Sequence, residues 1–254
     1  MLFLTSKKET FLARKKKVKK FRQDRKWWFR AVLKLIKLRY KKPNFVFMGD
    51  KPKKDAIVLT NHEGADVPLL YELYVDFPMR FWGTHEMNTS FRLLYKHLTK
   101  DYYHEIHGWN IHKARLFGLI AAPLTYMFYK GLRLISTYKD ARLKESIKES
   151  IAELKKGGNI VIFPENPDEG YLEILKEFYP GFTLLGDRSL KESIDLNVFT
   201  SYYRKKDHTL FFSKPILYSE LKKITKSRLE KAKYLLDTCN ALGQIDLDKL
   251  EPAV

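Results

Sequence analysis

The sequence predicts an α/β domain, a mixed central sheet flanked by helices, with an N-terminal basic amphipathic helical arm. Three observations carry this expectation. Short apolar runs rich in β-branched residues, such as Ala56-Ile57-Val58-Leu59 and Ile160-Val161-Ile162-Phe163, read as buried strands. Longer segments with apolar residues three and four apart lie between them and read as helices. A length of 254 residues, 44% hydrophobic and 31% charged, is enough for one domain with a sizeable core rather than a disordered chain.

The arm comes first. The net charge is +18, yet residues 1–42 hold 17 Lys and Arg against two acids, while the rest of the chain holds 31 against 28. The basicity therefore belongs to residues 1–42, and residues 43–254 form the main domain. From Lys26 the pattern is helical: Lys26, Arg30, Lys34, Lys37 and Lys41 on one side, Trp28, Val32 and Leu35 on another. Pro43 should end this helix near Lys42, because it disfavours the α conformation of the residue before it. A cationic face, an apolar face and Trp27-Trp28 describe a helix lying on an anionic membrane surface. The same pattern also suits a basic helix that packs its apolar side on the domain. A nucleic-acid partner is disfavoured, because the apolar face is too continuous for an arm that only tracks phosphates.

The main domain then alternates. Residues 56–59 form a strand, 67–74 a helix and 79–83 a second strand. Helices follow at 91–98 and 114–129; the latter is apolar on most sides and so is buried, membrane-facing or the wall of an acyl-chain groove. A third strand is expected at 132–135. Residues 141–156 form an amphipathic helix closed by Gly157-Gly158. Strands follow at 159–163, 196–202 and 209–212, and a charged helix at 219–242 closes the fold. The longest apolar stretch, 116–129, is shorter than a spanning helix needs, and the N-terminus is too quickly charged for a secretory signal. The single cysteine, Cys239, suits a reducing compartment. The expected location is peripheral or monotopic, on the cytoplasmic face of a membrane.

Two polar clusters directly follow buried strands: Asn61-His62-Glu63-Gly64-Ala65-Asp66 and Pro164-Glu165-Asn166-Pro167-Asp168. Ligands of α/β sheets bind outside the C-terminal ends of strands, so both clusters suit one crevice. His62 is suited to accept a proton, and a carboxylate on its other ring nitrogen would fix the tautomer and stabilise the imidazolium. No Ser or Cys stands nearby as a nucleophile, so the pair would deprotonate a hydroxyl of the substrate itself. Asp66 is also a reasonable helix-capping residue. His104, Glu105, His107 and His112 match no zinc spacing. Thr84-His85-Glu86 reads as a polar turn after the second strand.

Asn-His…Asp after one strand and Phe-Pro-Glu about a hundred residues on resemble the phospholipid/glycerol acyltransferase superfamily. Weaker matches are Gly131-Leu132-Arg133-Leu134-Ile135, at the place of the family's Gly-led second block, and Pro180-Gly181-Phe182, like its later turn. The resemblance spans roughly residues 27–215. It implies transfer of a fatty acyl chain from acyl-CoA or acyl-carrier protein to a hydroxyl of a lysolipid or glycerol-based acceptor, with no metal and no bound cofactor. It implies His62 as general base and Asp66 as its partner. It places Glu165 at the acceptor site or in holding the third block, puts Asn61 and Asn166 beside these motifs among the substrate-binding residues, and makes Gly131 the start of the second block.

The chain departs from the family twice. Only Glu63, Gly64 and Ala65 separate His62 from Asp66, where the family has four residues, and one residue turns a helical position by about 100°. Gly64 would permit a different loop path. The arginines the family uses for an acceptor phosphate are replaced by Thr137 and by Asn166-Pro167-Asp168. The acceptor is therefore expected either to lack that phosphate or to meet it through Arg133, Lys139 or Arg142. The alternative reading is a non-catalytic membrane- or nucleic-acid-binding protein on the same scaffold.

Overall fold

The computed structural model describes residues 23–62, 66–165 and 172–249. Nine α-helices and eight strands occupy these residues, joined by one π-helical and two 3-10 segments. They are α1 (Trp27–Ile36), β1 (Asn44–Phe47), β2 (Ala56–Thr60), α2 (Asp66–Tyr74), β3 (Met79–Thr84), α3 (His85–Asn88) and α4 (Phe91–Lys96). A π-helical segment, His97–Ile106, leads to α5 (Ile111–Leu132), β4 (Ile135–Thr137), α6 (Leu143–Leu154) and β5 (Asn159–Ile162). After residue 172 come α7 (Phe182–Lys191), β6 (Asn197–Arg204), β7 (Thr209–Phe212), β8 (Ile216–Leu217), α8 (Tyr218–Ile224) and α9 (Arg228–Gly243).

The strands form one sheet in the order β1-β7-β6-β2-β5-β3-β4, with β8 beside the start of β6. Strands β2 to β6 run parallel, β7 runs antiparallel to β6, and β1 is parallel to β7. The register pairs Ile57 with Ile160 and Val198, and Val58 with Val161 and Phe199. Every residue of β2 and β5 is buried, as expected of parallel strands covered on both faces. Asn159 locks their starts: its side-chain oxygen accepts the Ala56 N–H at 3.0 Å and its amide donates to the Pro78 carbonyl at 2.8 Å.

Alternation along the strands sends side chains into two core layers. Ile57, Leu59, Ile160 and Ile162 pack with Ile151 and Leu154 of α6, Leu185 of α7 and Leu235 and Cys239 of α9. Ala56, Val58 and Val161 pack with Phe29 of α1, Leu70 and Tyr71 of α2 and Leu132 of α5.

The start of the chain's described part is built into the second layer. Arg25 makes a bidentate pair with Glu72, 2.9 Å to each oxygen, and both side chains are almost fully buried. Phe29 is fully buried, and Trp28, Leu33 and Tyr40 pack against the same layer. Part of the apolar side of α1 thus packs on the domain, while Trp27, Leu35 and Leu38 stay exposed. The helix is also shorter than expected: it stops at Ile36, where Leu38 and Arg39 bond back three residues to Leu35 and Ile36 in a tightened last turn.

Other expectations are corrected. The third strand is not at 132–135. Leu132 ends α5, Arg133 closes the helix in the left-handed region at φ 56°, and β4 begins at Ile135. Gly131 sits in the last turn of α5, where a Cβ would stand 2.0 Å from the Phe29 ring, so its missing side chain admits α1. The helix expected at 91–98 continues as the π-helical segment. The closing helix is two helices, because Ser227 caps a new start by accepting the Glu230 N–H at 3.0 Å. Gly157 closes α6 at φ 82°, as its position implies.

Candidate active site

Because β2, β5, β3 and β4 run parallel, their C-terminal ends share one edge of the sheet. That edge brings together His62 after β2, Glu165 after β5, His85 after β3 and the Tyr138–Arg142 stretch after β4. The described parts of the two polar clusters, Asn61-His62 and Pro164-Glu165, thus stand side by side, since β2 and β5 are neighbours. The Glu165 carboxylate accepts the backbone N–H of His62. Glu165 is buried, and its turn is held by the Tyr179 N–H donating to the Pro164 carbonyl at 2.7 Å. Glu165 therefore positions the His62 backbone.

Asn61 does related work one residue earlier. Its amide donates to the Tyr203 carbonyl at 2.9 Å and its oxygen accepts the Tyr203 N–H at 2.7 Å, extending the β2–β6 ladder past Thr60. Asn61 is fully buried and its carboxamide is engaged with the backbone on both sides.

The His62 ring is partly buried and meets Phe163 edge-on, centroids 5.0 Å apart. Burial pushes its pKa down to about 4, so the imidazole is neutral at physiological pH. A neutral imidazole can accept a proton.

The structure does not bring the Asp66 carboxylate to that imidazole. Asp66 opens α2 and accepts the Tyr40 hydroxyl at 2.9 Å, while Tyr74 donates its hydroxyl to the Tyr40 carbonyl. Among the described residues no ion pair joins His62 to Asp66. Tyr40 was absent from the sequence-based candidates: a Tyr near a helix end carries no signal that a carboxylate 26 residues on will meet it.

The cations proposed for an acceptor phosphate lie apart from His62. Four neighbouring strands put β4 roughly 14 Å from β2. Arg133 donates to Asp24 at 2.6 Å, and its carbonyl accepts from Arg80 at 2.7 Å. Arg142 clamps Asp140 at 2.7–3.0 Å and lies 4.4 Å over the Tyr138 ring. Its side chain and backbone N–H hold the Asp140 carboxyl down to about 2. Lys139 is exposed on the same edge, with no ion pair among the described residues. Thr137 donates to the Gly83 carbonyl at 3.0 Å and so ties β4 to β3. Asn166, Pro167 and Asp168 lie outside the described residues.

Cys239 offers no nucleophile: it is fully buried, its thiol donates to the Ser201 carbonyl at 3.1 Å, and burial raises its pKa. No group of His, Cys, Asp and Glu suited to a metal occurs among the described residues. A surface depression of 490 Å³ near Asp187, Arg188 and Lys222 lies towards the start of β6, at the opposite edge.

No protein-family model matches the chain, and no curated protein matches it. Among solved structures, the chain is similar to one titled as the crystal structure of the 1-acyl-sn-glycerophosphate (LPA) acyltransferase, PlsC, from Thermotoga maritima. The likeness covers 89% of this chain and 83% of that one, with 15% identity and a TM-score of 0.47.

Proposed function

We propose that this protein is an O-acyltransferase. It would move a fatty acyl chain from an acyl-CoA or acyl-carrier-protein thioester to a hydroxyl of a lysolipid or other glycerol-based acceptor at a membrane surface. The observation that carries this reading is a neutral imidazole, His62, at the C-terminal end of β2, with its backbone held by Glu165 from the end of β5.

The acceptor oxygen attacks the thioester carbonyl carbon while His62 takes the hydroxyl proton. The tetrahedral intermediate collapses, the C–S bond breaks, and the imidazolium returns the proton to the departing thiolate. Asp66 stabilises the imidazolium once its carboxylate reaches the ring, so the proposal includes that approach on substrate binding; only its Oδ1 is held by Tyr40 in the free protein. The oxyanion takes its hydrogen bonds from backbone N–H groups at the strand ends.

The proposed acceptor lacks a terminal phosphomonoester: Arg133 and Arg142 are paired with Asp24 and Asp140, which leaves Lys139 alone of the three candidate cations without an ion pair among the described residues. Transfer from acyl-CoA to lysophosphatidic acid, measured beside neutral and amine-bearing lysolipids, tests this. Equal or better transfer to the latter is expected, and a clear preference for lysophosphatidic acid would overturn it.

The seating of Asp66 on Tyr40 favours a second reading, a non-catalytic membrane- or nucleic-acid-binding protein on this scaffold. No acyl transfer to any acceptor in that panel would support it.

A further inference from the structure

Between residues 114 and 127, helix α5 buries small residues and exposes large ones. The buried positions include Ala114, Gly118 and Ala122, four apart. A Cβ on Gly118 would stand 2.4 Å from Thr99 and 3.1 Å from Tyr95, so this side is seated closely on α4 and the π-helical segment. The opposite side carries Leu116, Ile120 and Leu124, exposed at 71%, 69% and 64%, with Met127 in line and Phe117 and Leu119 at its flanks. At 100° per residue Leu116, Ile120, Leu124 and Met127 share one face, roughly 17 Å long. A contiguous apolar face of this kind on a soluble surface marks an interaction site.

The charge pattern says what covers it. No charged residue lies between Arg115 and Lys130. Lys113 and Arg115 fence one end and Lys130 the other, all three exposed. At the first end the Lys113 ammonium sits 4.5 Å over the Trp109 ring, which stacks on Tyr103 at 4.9 Å. A second copy of the chain would set these cations against themselves across a two-fold axis. Residues 1–22, with nine Lys and Arg and one acid, carry the same sign. An anionic bilayer satisfies both parts: acyl chains take the apolar face, lysines reach headgroups, and Trp and Tyr sit at their level. No described helix is long and apolar enough to cross a membrane, so the helix would lie in the plane.

We propose that α5 is an in-plane membrane helix whose 116–127 face enters the acyl region of an anionic bilayer while Lys113, Arg115 and Lys130 meet its headgroups. The surface is distinct from α1, whose Phe29 and Trp28 are used in packing on the domain. Leu132, at the end of α5, packs in the same core layer as Val67, Leu70 and Tyr71 of α2, the helix that Asp66 opens.

The test uses the full chain and phosphatidylcholine vesicles with and without phosphatidylglycerol, in flotation at low and high salt. No acyl donor is present, so failure here and failure of acyl transfer are separate results. The protein should float with the anionic vesicles. Ile120→Glu/Leu124→Glu should lower the partition coefficient at least about tenfold. Ile174→Glu/Leu229→Glu, at positions exposed to 65% and 67% elsewhere, should bind like the wild type. Circular dichroism checks that both variants are folded. As a second readout, an environment-sensitive fluorophore on Ile120→Cys, labelled in preference to the buried Cys239, should shift to the blue on vesicle addition. Wild-type binding by the α5 variant, or no fluorophore shift, overturns the proposal. So does a wild-type dimer that ignores vesicles and becomes monomeric in the α5 variant.

Discussion

Acidification should destabilise this protein partly through His62, by an amount the structure sets. Burial holds the folded imidazole at about 4, whereas an unfolded chain holds it near 6.5. At pH 7 the ring is neutral in the folded protein and mostly neutral in the unfolded chain, so it adds little pH dependence there. Between those two values the unfolded chain binds a proton that the folded protein does not, so stability falls as pH falls. One unit is worth about 1.4 kcal/mol, so the full shift corresponds to about 3 kcal/mol. The ring is partly exposed and water screens it, which leaves about 1–3 kcal/mol. His62→Gln removes this term and keeps the other titrating groups. Urea unfolding of both proteins from pH 7 to pH 4 should therefore show the wild type losing about 1–3 kcal/mol more than the variant. Parallel losses would refute the desolvated imidazole, and a steeper loss in the variant would reverse its sign.

Three further outcomes follow from the same geometry. With Asp66 on Tyr40 in the free protein, kcat/KM for acyl transfer should stay level down to about pH 5 and fall through about 4; an acid limb above 6.5 would mean that a carboxylate already faces His62. Arg25→Met strands the Glu72 carboxylate in the core and should cost about 3–5 kcal/mol in urea unfolding, whereas Lys51→Met, at an exposed pair, should change it by less than about 1 kcal/mol. Gly131→Ala pushes a methyl into Phe29 and should cost about 1–3 kcal/mol, and part of that should return with Phe29→Leu; a neutral Gly131→Ala would contradict the close seating of α1 on α5.

What was legible in the sequence was local. The strand expected at 56–59 is β2, residues 209–212 form β7 as read, and Gly157 ends α6 as its type implies, because each rests on a short pattern with its own physical cause. The meeting of the two polar clusters was also legible, since both follow buried strands of one sheet. The second-block strand was misplaced because α5 runs apolar into β4. Gly131 looks like punctuation but serves close packing by Phe29, while the break itself is the left-handed Arg133, a conformation its side chain does not announce. The partner of Asp66 was hidden for a different reason. A four-residue spacing points to His62 only if the chain between is helical, and Tyr40 lies just past a helix whose seating depends on Phe29 and Arg25 in the core. The apolar character of α5 was plain, but which side it buries became visible only with Gly118 set against Thr99.

The proposed acyl transfer takes His62 as its base. Its most direct test is thioester loss and new lipid formation from acyl-CoA and mixed lysolipids, with the wild type beside a His62→Ala variant shown to be folded. Transfer by the wild type that drops by about 10²–10⁴-fold in the variant is the predicted result. The same low background in both, or undiminished transfer without the imidazole, would contradict it.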